Sequence, residues 1–318
     1  MKVVFMGTPE FAVATLDAIC KAGNDVAAVV TVPDKPAGRG LQLRPSAVKE
    51  YAVTHNLQVL QPEKLKSEDF LARLREINAD VFVVVAFRML PEVVYAMPKH
   101  GTFNVHASLL PNYRGAAPIH HAVMNGETKS GVTTFFLDRQ IDTGDIIDSI
   151  EVPIRPDETT GELYDELMQK GAELAVRTLQ SISDGTVTTR PQPQLPADQL
   201  KPAPKIFKED TFIDWNQPSS VIYNKIRGLC PSPCACTRIR NKKGNEEQIK
   251  IFETQILSSG KTMQKAGFIR ILLPDIFAIS TADGEISIKK LQLQGKSRLD
   301  IEAFLRGFHP ENYDLELF

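Results

Sequence analysis

The chain of 318 residues is long enough for a large core in two domains, and 42% apolar with 24% charged residues is the make-up of a folded globular protein. A formal net charge of −2 excludes wholesale non-specific nucleic-acid binding, which needs a basic surface. The charge is uneven, with 16 Lys/Arg against 14 Asp/Glu from Lys208 onward and 21 against 25 before it, so the last third leans towards a polyanion.

Met1-Lys2-Val3-Val4-Phe5 opens straight into a strand without the layout of a signal peptide. No apolar run approaches the roughly 20 residues that span a bilayer. A cytoplasmic protein with no membrane partner is expected. The apolar run at 3–6 ends at Gly7-Thr8-Pro9. Residues 11–22 then carry Phe11, Leu16 and Ile19 at helical spacing and stop near Gly23. A second buried strand is predicted at 26–32, followed by a Gly/Pro-rich insertion at 33–45 that holds Lys35, Arg39 and Arg44. A helix at 67–77 and a strand at 81–86 continue the alternation. Strands alternating with helices predict a parallel sheet, in which ligands gather at the carboxyl ends of the strands.

The next apolar run ends in Asn104-Val105-His106. Residues i and i+2 of a strand face the same way, so an amide and an imidazole point together into one cleft. A strand at 131–137 leads to Ile141-Asp142-Thr143-Gly144-Asp145, a carboxylate on a Gly-containing turn. Amide, imidazole and carboxylate together suit stabilisation of a carbonyl-derived oxyanion with proton transfer, the chemistry of an acyl-group transferase. Taken singly, each piece has a plainer meaning: Asn-x-His can cap a strand end, and Asp-Thr-Gly-Asp can be an ordinary turn.

Pro191, Pro193, Pro196, Pro202 and Pro204 rule out a helix or an interior strand and predict a semi-rigid linker. Short strands follow at 249–252, 267–273, 277–281 and 286–293, a pattern of a small β-barrel. Cys20, Cys230, Cys234 and Cys236 lack the spacing of a disulfide framework or a zinc site and read as buried thiols. His55, His100, His120, His121 and His309 have no partner pattern. The expected organisation is α/β: a Rossmann-like parallel sheet domain at 1–186, a proline-rich linker at 187–206, and an OB-like β-barrel domain at 207–318.

Asn104-Val105-His106, Ser108-Leu109-Leu110-Pro111, Arg114-Gly115-Ala116-Ala117-Pro118 and Asp142-Thr143-Gly144-Asp145 together resemble the formyl-tetrahydrofolate transformylase family. Gly7-Thr8-Pro9-Glu10-Phe11-Ala12 and Pro33-Asp34-Lys35-Pro36-Ala37-Gly38-Arg39-Gly40 are similar to the members that act on initiator tRNA. The likeness covers nearly the whole chain and loosens after Lys208.

The resemblance implies transfer of the formyl group of 10-formyltetrahydrofolate to the α-amine of methionyl initiator tRNA for translation initiation. No metal is required, since the donor is already an activated amide, and a monomer is expected. The amine attacks the formyl carbon and a tetrahedral intermediate forms. Asn104 donates to its oxyanion, His106 donates and moves a proton, and Asp142 orients the imidazole and favours its charged form. The resemblance further implies that Ser108, Leu109, Leu110 and Pro111 line the folate pocket. Phe87, Arg88, Met89 and Leu90 form its pterin-facing wall through backbone groups. Many relatives carry Ala-Tyr-Gly where this chain has Phe87-Arg88-Met89, so the pocket's detailed shape differs here.

The 33–45 loop is implied to wedge into the acceptor stem, with Lys35, Arg39 and Arg44 on the RNA backbone and Arg39 pivotal. Arg238, Arg240, Lys242 and Lys243 form the densest basic cluster of the barrel and are expected to meet phosphates, although a hairpin surface is the plainer alternative. Residues 229–234 stand where many relatives carry Trp-Pro, and no RNA contact is expected there.

Rival functions fit less well. A glycinamide ribonucleotide transformylase needs a glycine-rich phosphate loop where this chain has Gly7-Thr8-Pro9-Glu10. The Lys35–Arg39 loop disfavours a sugar-nucleotide formyltransferase. Intact Asn104, His106 and Asp142 disfavour a tRNA-binding factor without activity. A nicotinamide-dependent dehydrogenase would carry the dinucleotide fingerprint, which is missing.

Overall fold

The computed structural model describes residues 1–37, 42–260, 264–272 and 274–318, which form two compact units. One consists of Met1–Pro118, Lys129–Pro153 and Tyr164–Ala203, the other of Ile119–Thr128, Ile154–Leu163 and Pro204–Phe318.

In the first unit, β1 (Lys2–Gly7), α1 (Glu10–Lys21) and β2 (Asp25–Val30) come first in the chain. The hairpin β3 (Lys35–Ala37) and β4 (Gln42–Arg44) follows, then α2 (Ala47–Thr54), β5 (Val59–Leu60), α3 (Glu68–Ile77) and β6 (Val81–Val85). After α4 (Glu92–Tyr95) and β7 (Thr102–His106) come α5 (Pro118–Met124), which from Ile119 onward falls in the second unit, then β8 (Lys129–Phe136), β9 (Ile146–Pro153) and α6 (Thr160–Ser183), which belongs to the first unit from Tyr164 onward. A seven-stranded sheet takes the order β5-β2-β1-β6-β7-β8-β9. Its strands from β5 to β7 pair in parallel, whereas β8 and β9 are antiparallel.

The parallel strands are continuous β-branched runs such as Val81-Phe82-Val83-Val84-Val85, fully buried as expected of a sheet covered on both faces. Helix α3 shows how the cover is built. Phe70, Leu71, Leu74 and Ile77 fall on one face and join Val4, Met6, Val30, Phe82 and Val84 in one core. Asn78 ends the helix in the left-handed conformation, φ +49°.

The second unit contains α7 (Ser219–Leu229) and the strands β10 (Ala235–Asn241), β11 (Glu246–Ser259), β12 (Ile269–Leu272), β13 (Ile276–Ser280) and β14 (Gly284–Leu293). It ends with β15 (Leu299–Asp300), α8 (Ile301–Leu305) and β16 (Tyr313–Leu317). The antiparallel order is β12-β13-β14-β11-β10-β16, with β15 against β14. The Leu317 N–H donates to the Gly267 carbonyl at 2.8 Å, and Phe268 bridges to Glu316. The last strand thus returns to the start of β12 and the sheet becomes a nearly closed barrel, which removes its free edges. The barrel interior is aliphatic and aromatic: Ile239, Ile249, Ile251, Phe277, Ile286 and Leu291, with Ile222 and Ile226 of α7 packed in. Trp215 donates its indole N–H to Thr237 Oγ1 at 3.0 Å inside this core.

Candidate active site

The strand register brings three loops to one edge. Gly7 pairs with Val85, and Val85 with Val105, so β1, β6 and β7 finish level. The order places β2 on one side of β1 and β6 on the other, so the carboxyl ends of β1 and β6 stand at the switch point where ligands gather in such sheets. Gly7 is needed there for packing: a Cβ would stand 2.6 Å from the Ala12 Cβ and 2.9 Å from the Phe5 ring.

Asn104 and His106 lie on the same face of β7, as their spacing predicts. His106 is 6% exposed and its Nε2 stands 2.8 Å from the Tyr113 carbonyl oxygen. A carbonyl only accepts, so Nε2 carries the proton and Nδ1 is the nitrogen left for chemistry. That Nδ1 faces Asp142 Oδ2 at 3.9 Å, a charge contact longer than a hydrogen bond. The Gly115 N–H donates to the same carboxylate oxygen at 3.0 Å and fixes its direction. Asn104 Oδ1 is buried without a hydrogen-bond partner among the described residues.

Asp142 reaches His106 because the 137–145 connection between β8 and β9 folds back, with Asp142 itself left-handed at φ +55°. Gly144 permits that fold, since a Cβ there would lie 1.7 Å from the Phe136 carbonyl oxygen. The 108–111 turn is pinned from β8. Thr133 Oγ1 donates to the Ser108 carbonyl at 2.6 Å and accepts from the Leu110 N–H at 3.4 Å. Ser108 Oγ donates to the Asn112 carbonyl at 2.8 Å. Leu110 is buried against Phe135 and Ile146, Pro111 is buried, and Leu109 is half-buried.

Of the expected pterin wall, Phe87 packs on the α3 side of the sheet and Leu90 is buried, whereas Met89 is 66% exposed. The Arg88 guanidinium donates to the carbonyls of Pro62 at 2.8 Å and Glu63 at 3.1 Å and sits 5.2 Å over the Phe87 ring. Burial holds its pKa below the usual value. Its side chain is therefore spent on the neighbouring loop.

Among the basic residues, Lys35 and Arg44 are exposed and stand opposite each other in the β3–β4 ladder. Arg39 lies outside the described residues. Arg238 and Arg240 on β10 both reach Glu246, at 3.7 and 3.1 Å, and stack over Phe212 and Phe318. Lys242 pairs with Asp314 at 2.8 Å. Lys243 is exposed on the turn to β11, where its backbone N–H donates to Asn241 Oδ1 at 3.0 Å. No group of three His, Cys, Asp or Glu among the described residues is placed to hold a metal ion. The 230–236 cysteines are free thiols; Cys234 and Cys236 are buried, and burial pushes the Cys234 thiol up to about 12.

Residues 1–179 match the model of the formyl transferase family, and residues 205–309 match that of the formyl transferase C-terminal domain. The chain belongs to the formyl transferase family. It is 47% identical to the methionyl-tRNA formyltransferase of Bacteroides fragilis over 317 residues, covering 97% of this chain and 95% of the relative. It is 49% identical to that of Flavobacterium johnsoniae over 308 residues, covering 96% of each. The fold is that of an N-formyltransferase from Helicobacter canadensis solved with folinic acid and dTDP-3-aminofucose. That likeness has a TM-score of 0.61 at 23% identity and covers 91% of this chain and 98% of that one. HypX from Aquifex aeolicus, solved with tetrahydrofolic acid, gives a TM-score of 0.60 at 18% identity, over 96% of this chain and 47% of its own. The family resemblance read from the motifs is thereby shown.

Sequence motifs alone did not point to Thr133, the Tyr113 carbonyl or Gln192, which hold the site loops. Thr133 sits mid-strand, a carbonyl leaves no signature, and Gln192 stands in a proline-rich stretch where polar residues are ordinary.

Proposed function

We propose that this formyl transferase moves the formyl group of 10-formyltetrahydrofolate to the α-amino group of methionyl initiator tRNA, as a cytoplasmic monomer. What carries the acceptor is the identity of 47% over 97% of the chain to methionyl-tRNA formyltransferases. What supports the chemistry is the approach of Asn104, His106 and Asp142 at the carboxyl edge of the sheet. Residues 1–186 are read as the catalytic domain, 187–206 as a linker and 207–318 as the tRNA-binding domain.

The formyl donor, when bound, supplies an activated carbonyl carbon. The loop at Phe87, Arg88, Met89 and Leu90, through its backbone groups, and the turn at Ser108, Leu109, Leu110 and Pro111 would hold it. The unpartnered buried amide oxygen of Asn104 fits a group that brings a hydrogen-bond donor. Asn104 gives its amide N–H to the oxygen that becomes negative as the amine attacks. His106 Nδ1 takes the proton that the amine loses, because Nε2 is committed to Tyr113, and returns it to the departing nitrogen. Asp142, 3.9 Å away, offers a negative charge to the imidazolium formed in between.

Lys35 and Arg44 support an RNA partner. Like charges directly across a two-stranded ladder repel each other, and a phosphate between them removes the cost. Arg39, Arg238, Arg240, Lys242 and Lys243 are read as further tRNA contacts.

A competition assay tests the acceptor: 10-formyltetrahydrofolate with initiator methionyl-tRNA, glycinamide ribonucleotide and a 4-amino sugar nucleotide in one reaction. Formyl on the tRNA alone is the expected result. Formyl on a small acceptor alone would overturn the acceptor and keep the chemistry.

A further inference from the structure

The segment after α6 lies along the first unit as an ordered strap. The Arg190 N–H and carbonyl pair with Ile146 at 2.9 and 2.8 Å, extending the edge beside β9. The Lys201 carbonyl accepts from the Tyr113 N–H at 2.6 Å, and the Ala203 carbonyl accepts from Ala116 and Ala117 at 2.8 and 3.1 Å. Between these anchors lies Gln192. Its Nε2 donates to the carbonyls of Asp142 and Gly144, both at 2.9 Å. Its Oε1 accepts from Arg114 Nε at 3.2 Å and Nη2 at 2.6 Å. Two carbonyls on one side and a guanidinium on the other leave no doubt about which end of the amide is which.

The 137–145 connection is closed from within by Thr143 Oγ1 and the Gln140 N–H on Asp138 and by the Phe136 N–H on the Asp145 carbonyl, and the Gln192 bonds tie it outward to the loop at Arg114. Asp142 carries a side chain at φ +55°, a conformation that most residues avoid. The carboxylate has one fixed donor, the Gly115 N–H, and Gly115 follows the Arg114 that Gln192 also binds. One side chain therefore ties the turn that carries the carboxylate to the loop that aims it, on both sides of His106.

We propose that Gln192 is a positioning residue for the transfer reaction, which sets the Asp142 carboxylate against His106 Nδ1 by bridging the 142–144 turn to Arg114. This role rests on the reading of His106 and Asp142 given above. The side-chain bonds of Gln192 go to Arg114 and to the carbonyls of Asp142 and Gly144, so its removal is expected to act on the Asp142 carboxylate through the turn and through the loop that aims it.

The test is a double-mutant cycle on kcat for formyl transfer to methionyl-tRNA, with KM for both substrates and thermal unfolding recorded for every variant. Gln192→Ala is expected to lower kcat by about 10- to 100-fold, the cost of a misplaced catalytic group, with both KM values within about twofold of wild type. In the Asp142→Ala background the same change is expected to cost less than about twofold, because the group it positions is gone. Gln192→Glu keeps the acceptor for Arg114 and loses both donors to the turn, so it should be as impaired as Gln192→Ala.

Full additivity in the cycle, or wild-type kcat in Gln192→Glu, would overturn the proposal. So would a loss confined to KM or explained by unfolding. His106→Ala separates the two levels: if it is inactive while Gln192→Ala keeps its kcat, only the role of Gln192 fails. If His106→Ala is fully active, the reading of the whole site fails and this role with it.

Discussion

At the scale of one residue, the two ends of the Asn104 amide differ: its Oδ1 is buried without a partner among the described residues, a cost of about 1–3 kcal/mol, and its N–H is the group proposed above to donate to the oxyanion. Asn104→Ala is therefore expected to lower kcat by ~10²–10³ while the unfolding midpoint stays level or rises, read by single-turnover transfer beside a thermal melt. A melt that falls as steeply as the activity would mean that the amide serves the fold. The cysteines lie at the opposite pole. Burial keeps Cys234 protonated, with a pKa pushed up to about 12, and it also raises Cys20 and Cys230. A thiolate-directed alkylating reagent at pH 8 should leave Cys234 unmodified in the native protein and modify it in denaturant, which mass spectrometry can count.

The elements differ in how much of them the sequence disclosed. Strands β1, β2 and β6 and helices α1 and α3 follow directly from apolar runs bounded by Gly, Pro and Asn, because a parallel strand buried on both faces has little freedom in composition. Asn104 and His106 were likewise legible as a pair, since period-two spacing forces them to one face. The reversed direction of β8, antiparallel to both β7 and β9, was not. An apolar run does not state its direction, and the 137–145 connection that returns Asp142 depends on its positive φ and on Gly144. The β10 strand was hidden because Arg238 and Arg240 occupy its outward positions and read as a charge cluster.

Two substitutions test these elements. Gly144→Ala should push the turn off the Phe136 carbonyl and lower kcat more than it raises either KM, measured in the same transfer assay. Thr133→Val removes the donor to Ser108 and the acceptor for Leu110, and should destabilise the protein by about 1–3 kcal/mol in a denaturant titration.

At the scale of the whole molecule, the two units divide the work differently. The first carries the amide, imidazole and carboxylate, and also the hairpin in which Lys35 faces Arg44. The second is a barrel with an apolar interior and a basic surface partly offset by Glu246 and Asp314. If the acceptor is a polyanion held by such residues, the KM for tRNA should rise steeply with salt while the KM for the folate donor stays nearly flat. Arg44→Ala should raise the tRNA KM with little change in kcat and reduce the salt slope by about one. The proline-rich stretch also has a different meaning at this scale. Its prolines excluded helix and interior strand correctly, but its hydrogen bonds to Ile146, Asp142, Gly144, Tyr113 and Ala116 make it part of the frame of the site. Nothing in its composition separates an ordered strap from a free tether, because the bonds use backbone groups and one ordinary glutamine.

The most direct measurement is single-turnover formyl transfer from 10-formyltetrahydrofolate to initiator methionyl-tRNA by wild type and by His106→Ala, with both substrates saturating. Rapid transfer by wild type is expected, with a loss of about 10²–10⁴ in His106→Ala, the usual contribution of a positioned acid–base group, and tRNA binding unchanged. Transfer at the wild-type rate by His106→Ala would contradict the acid–base role of His106.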